Sequence, residues 1–106
     1  GFRLFYDFEY HKIRPLCGEW HSTLDNTRLE IVHQDDGFWI RIHRCDPRTG
    51  RESFEMHPLK YASCIHYEDY GRARVDLFHT PGSDLLLVIP GGIFKRDLSN
   101  LQNDLP

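Results

Sequence analysis

Apolar and polar residues alternate along most of this chain, in short runs separated by turn-forming residues. The sharpest case is Arg28–Gln34, then Asp35-Asp36-Gly37, then Phe38–Arg44. Leu29, Ile31, Phe38, Ile40 and Ile42 recur with the two-residue period of a half-buried strand. An Asp-Gly pair between two such runs signals a hairpin, because both residues tolerate the positive φ of a type I′ turn. With Asp36-Gly37 as the loop, Asp35 faces Phe38, Ile31 faces Ile42 and His33 faces Ile40. The five apolar side chains and His33 then share one face. Glu30 faces His43 on the other, with Arg41 diagonal to it.

The same reading predicts further strands at Glu19–Leu24, Arg51–His57, Leu59–Tyr67, Arg74–His79, Leu85–Ile89 and Ile93–Arg96. Pro58 is read as a break between two of them. Cys45–Gly50, Glu68–Gly71, Thr80-Pro81-Gly82 and Pro90-Gly91-Gly92 supply turns. The continuous run Leu85–Ile89 predicts a strand buried on both faces or covered by another segment. Eight strands at about ten-residue spacing predict an all-β, antiparallel, up-and-down barrel over residues 16–96. The inward set expected is Trp20, Leu29, Ile31, Phe38, Ile40, Ile42, Phe54, Met56, Ile65, Val75, Leu77, Leu85, Leu87 and Ile89.

Two segments fall outside this pattern. Residues 1–15 form an aromatic segment in which Phe2, Phe5, Tyr6 and Glu9 fit helical spacing, so a short helix packed on an open barrel end is expected. Residues 97–106 form a tail in which Leu98, Leu101 and Leu105 suggest a helical turn.

The 106 residues set the scale of a single domain. A net charge of −3 argues against nucleic acid as the partner. Arg41, Arg44, Arg48 and Arg51, with Arg72, Arg74 and the stacking-competent Trp39, supply that alternative, but Asp46, Glu52 and Glu55 dilute their field. Cys17, Cys45 and Cys64 are odd in number and form no Cys-x-x-Cys pair, so neither a disulfide framework nor a zinc knuckle is expected; one bridge stays open. No apolar run is long enough to span a membrane as a helix. No signal peptide is visible. Location is left open: the cytoplasm is slightly favoured, with a leader or anchor removed ahead of Gly1 as the alternative.

Gly18-Glu19-Trp20 at the first strand, with Arg96 at the end of the last, resembles the Gly-x-Trp motif and closing arginine of lipocalins and their relatives. The Thr-Asp-Tyr-type motif of true lipocalins is absent. The chain is most similar to the short bacterial lipocalin-like, calycin-type domains of unknown function, some associated with conjugative transposons. The resemblance implies a barrel floor plugged by Trp20, with Arg96 stacked on its indole.

Candidate chemistry is sparse. His33, on the apolar face, is the candidate ligand-binding group, with Trp20 and Arg96 beside it. It is also the candidate catalytic residue if the protein is a small enzyme. Cys64 and His66 stand too far apart on one strand for nucleophile and base. No metal site is expected: Glu30 and His43 are too few ligands, and His57, His66 and His79 lie on separate strands. No cofactor motif is present. Strands of roughly six residues make a barrel about 20 Å long, too short for a deep cup. The expected function is therefore a non-catalytic binding or interaction module with a filled core. Phe2, Phe5, Tyr6, Trp39 and Arg41 are its candidate partner surface, and its partner is an unknown protein. A small apolar-ligand carrier is the alternative, and oligomeric state is left open.

Overall fold

The computed structural model describes the backbone of residues 2–96 and the side chains from Phe8 to Arg96. A helix, α1 (Phe2–Ile13), runs into a 3₁₀ turn at Arg14–Leu16. Eight strands follow: β1 (Gly18–Ser22), β2 (Arg28–Gln34), β3 (Gly37–Cys45), β4 (Glu52–Ala62), β5 (Cys64–Asp69), β6 (Ala73–Phe78), β7 (Leu85–Ile89) and β8 (Gly92–Arg96). Each pairs antiparallel with the next, and β8 pairs with β1 to close the barrel. Closure removes the unpaired edges that an open sheet would present. The tail at 97–106, with Leu98, Leu101 and Leu105, lies outside the described residues.

One end of the barrel is sealed. Trp20 is fully buried, and its indole N–H donates to the Leu16 carbonyl at 2.8 Å. The Arg96 guanidinium lies over the indole at 4.2 Å and donates to the Cys17 and Pro15 carbonyls at 3.0 and 2.7 Å. Gly18 is required there: its φ is +124°, and a Cβ would stand 3.3 Å from Arg96. Ile13 and Leu16 are buried beneath the strands, so α1 and its turn cap the end that Trp20 plugs. Tyr10 packs on His33 and Phe38, and Phe8 meets Tyr61 edge-on.

The β2–β3 register corrects the expected one. Ile31 pairs with Ile40, His33 with Phe38, Glu30 with Arg41 and Arg28 with His43. The turn residues are Asp35 and Asp36, at φ 54° and 62°, and Gly37 belongs to β3. The ladder is displaced by two residues from the Asp36-Gly37 reading. An even displacement preserves side-chain parity, so Leu29, Ile31, Phe38, Ile40 and Ile42 are all buried as expected.

Two strands place other residues inside. β4 runs straight through Pro58 and ends at Ala62, where Ser63 turns the chain at φ 67°. Leu59 must face the core, and unbroken alternation then turns His57 and Glu55 inward. Phe54 and Met56, expected inside, are exposed. In β7, Leu86 and Val88 are buried while Leu85, Leu87 and Ile89 are exposed, so the run is buried on one face only. Phe78 pairs with Leu87, and Leu87 with Ile93. All three are exposed, giving an apolar row across the outer wall of β6–β8. Among the described residues no helix is long and apolar enough to cross a membrane. The three cysteines are unpaired.

Candidate functional site at the open end of the barrel

Opposite the plugged end, the loops after β1, β3, β5 and β7 surround a mouth. Strand parity brings polar side chains to its inner wall. Arg44 continues the inward series of Ile40 and Ile42 on β3, Glu55 and His57 lie above Leu59 on β4, and Tyr67 and Asp69 lie above Ile65 on β5. The β4–β5 ladder pairs only Lys60–Ala62 with Cys64–His66, so these residues sit where the two strands no longer form paired rungs. Pro58, which has no N–H to contribute, lies within that stretch of β4.

His57 is 4% exposed. Its imidazole stacks on Tyr67 at 4.9 Å with planes 17° apart, and Tyr70 meets it edge-on at 5.0 Å. Nε2 stands 3.2 Å from Glu55 Oε2, while the other Glu55 oxygen is paired with Arg44. Asp69 closes the group: one ligand-type atom from each of Glu55, His57 and Asp69 lies within 4.8 Å of the others. Burial pushes the Tyr67 phenol up to about 12, with Asp69 and Glu55 adding to the rise against the opposing pull of Arg44. Tyr67 is therefore a neutral ring and potential donor at this site. Tyr70 adopts φ 51°. A positive φ is uncommon for a bulky non-glycine residue and marks a backbone held by its surroundings.

Arg44 also borders a cleft of about 790 Å³ on the rim, shared with Leu24, Asp25, Asn26, Thr27, Asp46 and Arg51 among others. Its near wall is held by local hydrogen bonds. Asp25 accepts from the Thr27 N–H at 2.8 Å, and Ser22 Oγ accepts from the Leu24 and Asp25 amides. The Thr27 hydrogen bonds, principally, hold the Asp25 carboxyl below its ordinary 3.8.

The residues singled out in the sequence are scattered by comparison. Trp20 and Arg96 form the sealed floor, and their polar groups are used there. His33 keeps the inward parity but lies at the rim of the capped end. It is exposed, with its ring packed between Phe38 at 4.7 Å and Tyr10 at 5.4 Å. Trp39 and Arg41 are on the outer wall, where Trp39 donates to the Gln34 carbonyl and Arg41 pairs with Glu30 at 3.0 Å. The side chains of Phe2, Phe5 and Tyr6 lie outside the described residues. Arg74 is paired with Asp76 at 2.6 Å, so this arginine too has its charge answered locally. A smaller hollow of about 160 Å³ on the outer wall includes Glu19, Arg28, Glu30, Arg41 and His43. Most of its polar groups already satisfy one another, with Arg28 donating to His43 Nδ1. His43 Nε2 forms no hydrogen bond and stands 3.5 Å from Glu52.

Sequence reasoning missed the mouth cluster. Its signal was Glu55-x-His57, two residues apart and hence on one strand face. Treating Pro58 as a strand break prevented the parity of Leu59 from being carried back to His57. No family model matches the chain, and no curated protein or solved structure is significantly similar to it.

Proposed function

We propose that this protein is a non-catalytic binding module that takes a small polar ligand at the open end of a filled barrel. The observation that carries this reading is the division of the interior. Its lower part is apolar: Trp20, Ile31, Ile40, Ile42, Leu77 and Leu86 are each at most 2% exposed, which leaves no water-sized space beside them. Its upper part is polar, and Arg44 joins the cluster of Glu55, His57 and Asp69 to the rim cleft. Ligand sites combine a concave surface with a few convergent polar groups. Charges of both signs, Arg44 and Arg51 against Asp25, Asp46, Glu55 and Asp69, favour a zwitterionic ligand over an apolar one.

Backbone amide shifts during titration with free amino acids and dipeptides test this reading. Saturable shifts confined to residues 24–27, 44–55 and 67–71 are expected. Saturable binding of a fluorescent fatty acid, with shifts at Ile31, Ile40 and Ile42, would instead establish the apolar-ligand carrier and remove this proposal. An esterase or isomerase activity abolished by His33→Ala would equally overturn the non-catalytic assignment.

A further inference from the structure

Glu55, His57 and Asp69 have the makings of more than a polar lining. We propose that they bind one divalent transition-metal ion of the zinc type. The proposal rests on the reading of the mouth as the binding site and deepens it.

The geometry comes first. His57 Nε2 and Glu55 Oε2 are 3.2 Å apart, and the Asp69 carboxylate brings a third donor within 4.8 Å of both. Zinc holds such donors at about 2.0–2.2 Å, so two donors on one ion stand no more than about 4.4 Å apart. Asp69 is the last residue of β5 and only partly buried, so rotation of its side chain closes the small remaining gap.

Charge points the same way. Glu55 and Asp69 set two carboxylates within 4.8 Å of each other in a part-buried setting, and Arg44 answers the charge of Glu55. Two carboxylates this close repel each other, and a cation held between them relieves that repulsion. One imidazole nitrogen with two carboxylate oxygens is a donor set for zinc, cobalt or manganese and lacks the soft sulfur that selects copper(I).

The surroundings also orient the ligands. Tyr67 and Tyr70 fix the plane of the His57 ring, and Arg44 engages one Glu55 oxygen while the other faces the imidazole. Outer partners of this kind set ligand orientation and tune affinity. Three protein ligands at a mouth leave a position for water or for a donor atom of the bound molecule, which links the ion to the polar ligand proposed above.

Titration of the full chain with Co²⁺, followed by its visible absorption, and with Zn²⁺, followed by calorimetry, tests the site. A single Co²⁺ equivalent displaced by Zn²⁺ is expected. The near-isosteric Asp69→Asn and the variant His57→Gln, each shown by circular dichroism to be folded, are expected to weaken binding at least about tenfold. His33→Ala is expected to leave it unchanged. Absence of Co²⁺ and Zn²⁺ binding, or undiminished binding by folded Asp69→Asn, overturns the metal site. Amino-acid shifts at the mouth without metal binding would defeat the metal site alone. Metal binding without those shifts would defeat the polar-ligand reading alone.

Discussion

Trp20 and Arg96 show how two side chains close a barrel. The indole has its one donor satisfied by Leu16, and the guanidinium satisfies two carbonyls of the incoming turn while covering the ring. Trp20→Ala is expected to cost about 3–5 kcal/mol in urea unfolding. Arg96→Ala is expected to cost about 2 kcal/mol, from two charge-assisted hydrogen bonds and the cation–π contact, discounted for partial exposure. A loss below about 0.5 kcal/mol for Arg96→Ala would show that the turn closes the floor unaided. Asp25 acts at the other end through its hydrogen bond to Thr27. Its carboxyl titrates below 3.8 in the folded state, so the unfolded chain takes up the proton first as pH falls. Its contribution is therefore complete above that value and disappears as pH drops through the folded one. Asp25→Ala is expected to lower stability by a few tenths of a kcal/mol at pH 7, and the gap to wild type should narrow once pH falls below 3.8 and close as pH drops through the lower folded-state value. A pH-independent gap would assign the effect to lost packing.

In β7 the alternation of burial is carried by residues of nearly uniform hydrophobicity. Leu86 is fully buried while Leu87 is 39% exposed. Leu86→Ala is expected to cost about 2–4 kcal/mol, through lost burial and the cavity left behind. Leu87→Thr, which keeps strand propensity on the outer wall, is expected to change stability by less than about 0.5 kcal/mol. Equal losses for the two would mean that the outer apolar row of Phe78, Leu87 and Ile93 is covered in solution. β4 teaches the complementary point. Its outward Phe54 and Met56 are more apolar than its inward Glu55 and His57, yet Leu59 fixes the parity of the whole strand. Hydrophobicity of the upper residues cannot reverse this without a bulge, which would break the β3–β4 ladder running unbroken from Cys45–Glu52 to Phe38–Leu59.

Across the molecule, stability and candidate function occupy opposite ends. The sealed end concentrates apolar burial under α1, whereas the mouth concentrates charge, turns and the unpaired upper seam of β4 and β5. Amide hydrogen exchange is expected to be slowest in the central residues of β2 and β3, which share seven consecutive pairs, and faster at residues 67–72 by an order of magnitude or more. Uniform protection through both regions would contradict a locally weaker mouth.

The alternation of residues, the turn signals and the Gly18-x-Trp20 and Arg96 positions were enough to specify eight antiparallel strands and a plugged barrel. These features are local or have a short period, and a two-residue slip in the β2–β3 hairpin leaves their faces unchanged. The candidate site was not legible in the same way. Glu55 and His57 are inward only because Leu59 is, and Asp69 meets them only because β4 and β5 pair at their lower ends and part above. The faces of Leu85–Ile89 were equally undetermined by composition, since every residue in that run is apolar. In each case tertiary packing decided, because parity passes along a continuous strand and proximity between strands exists only once the barrel has closed.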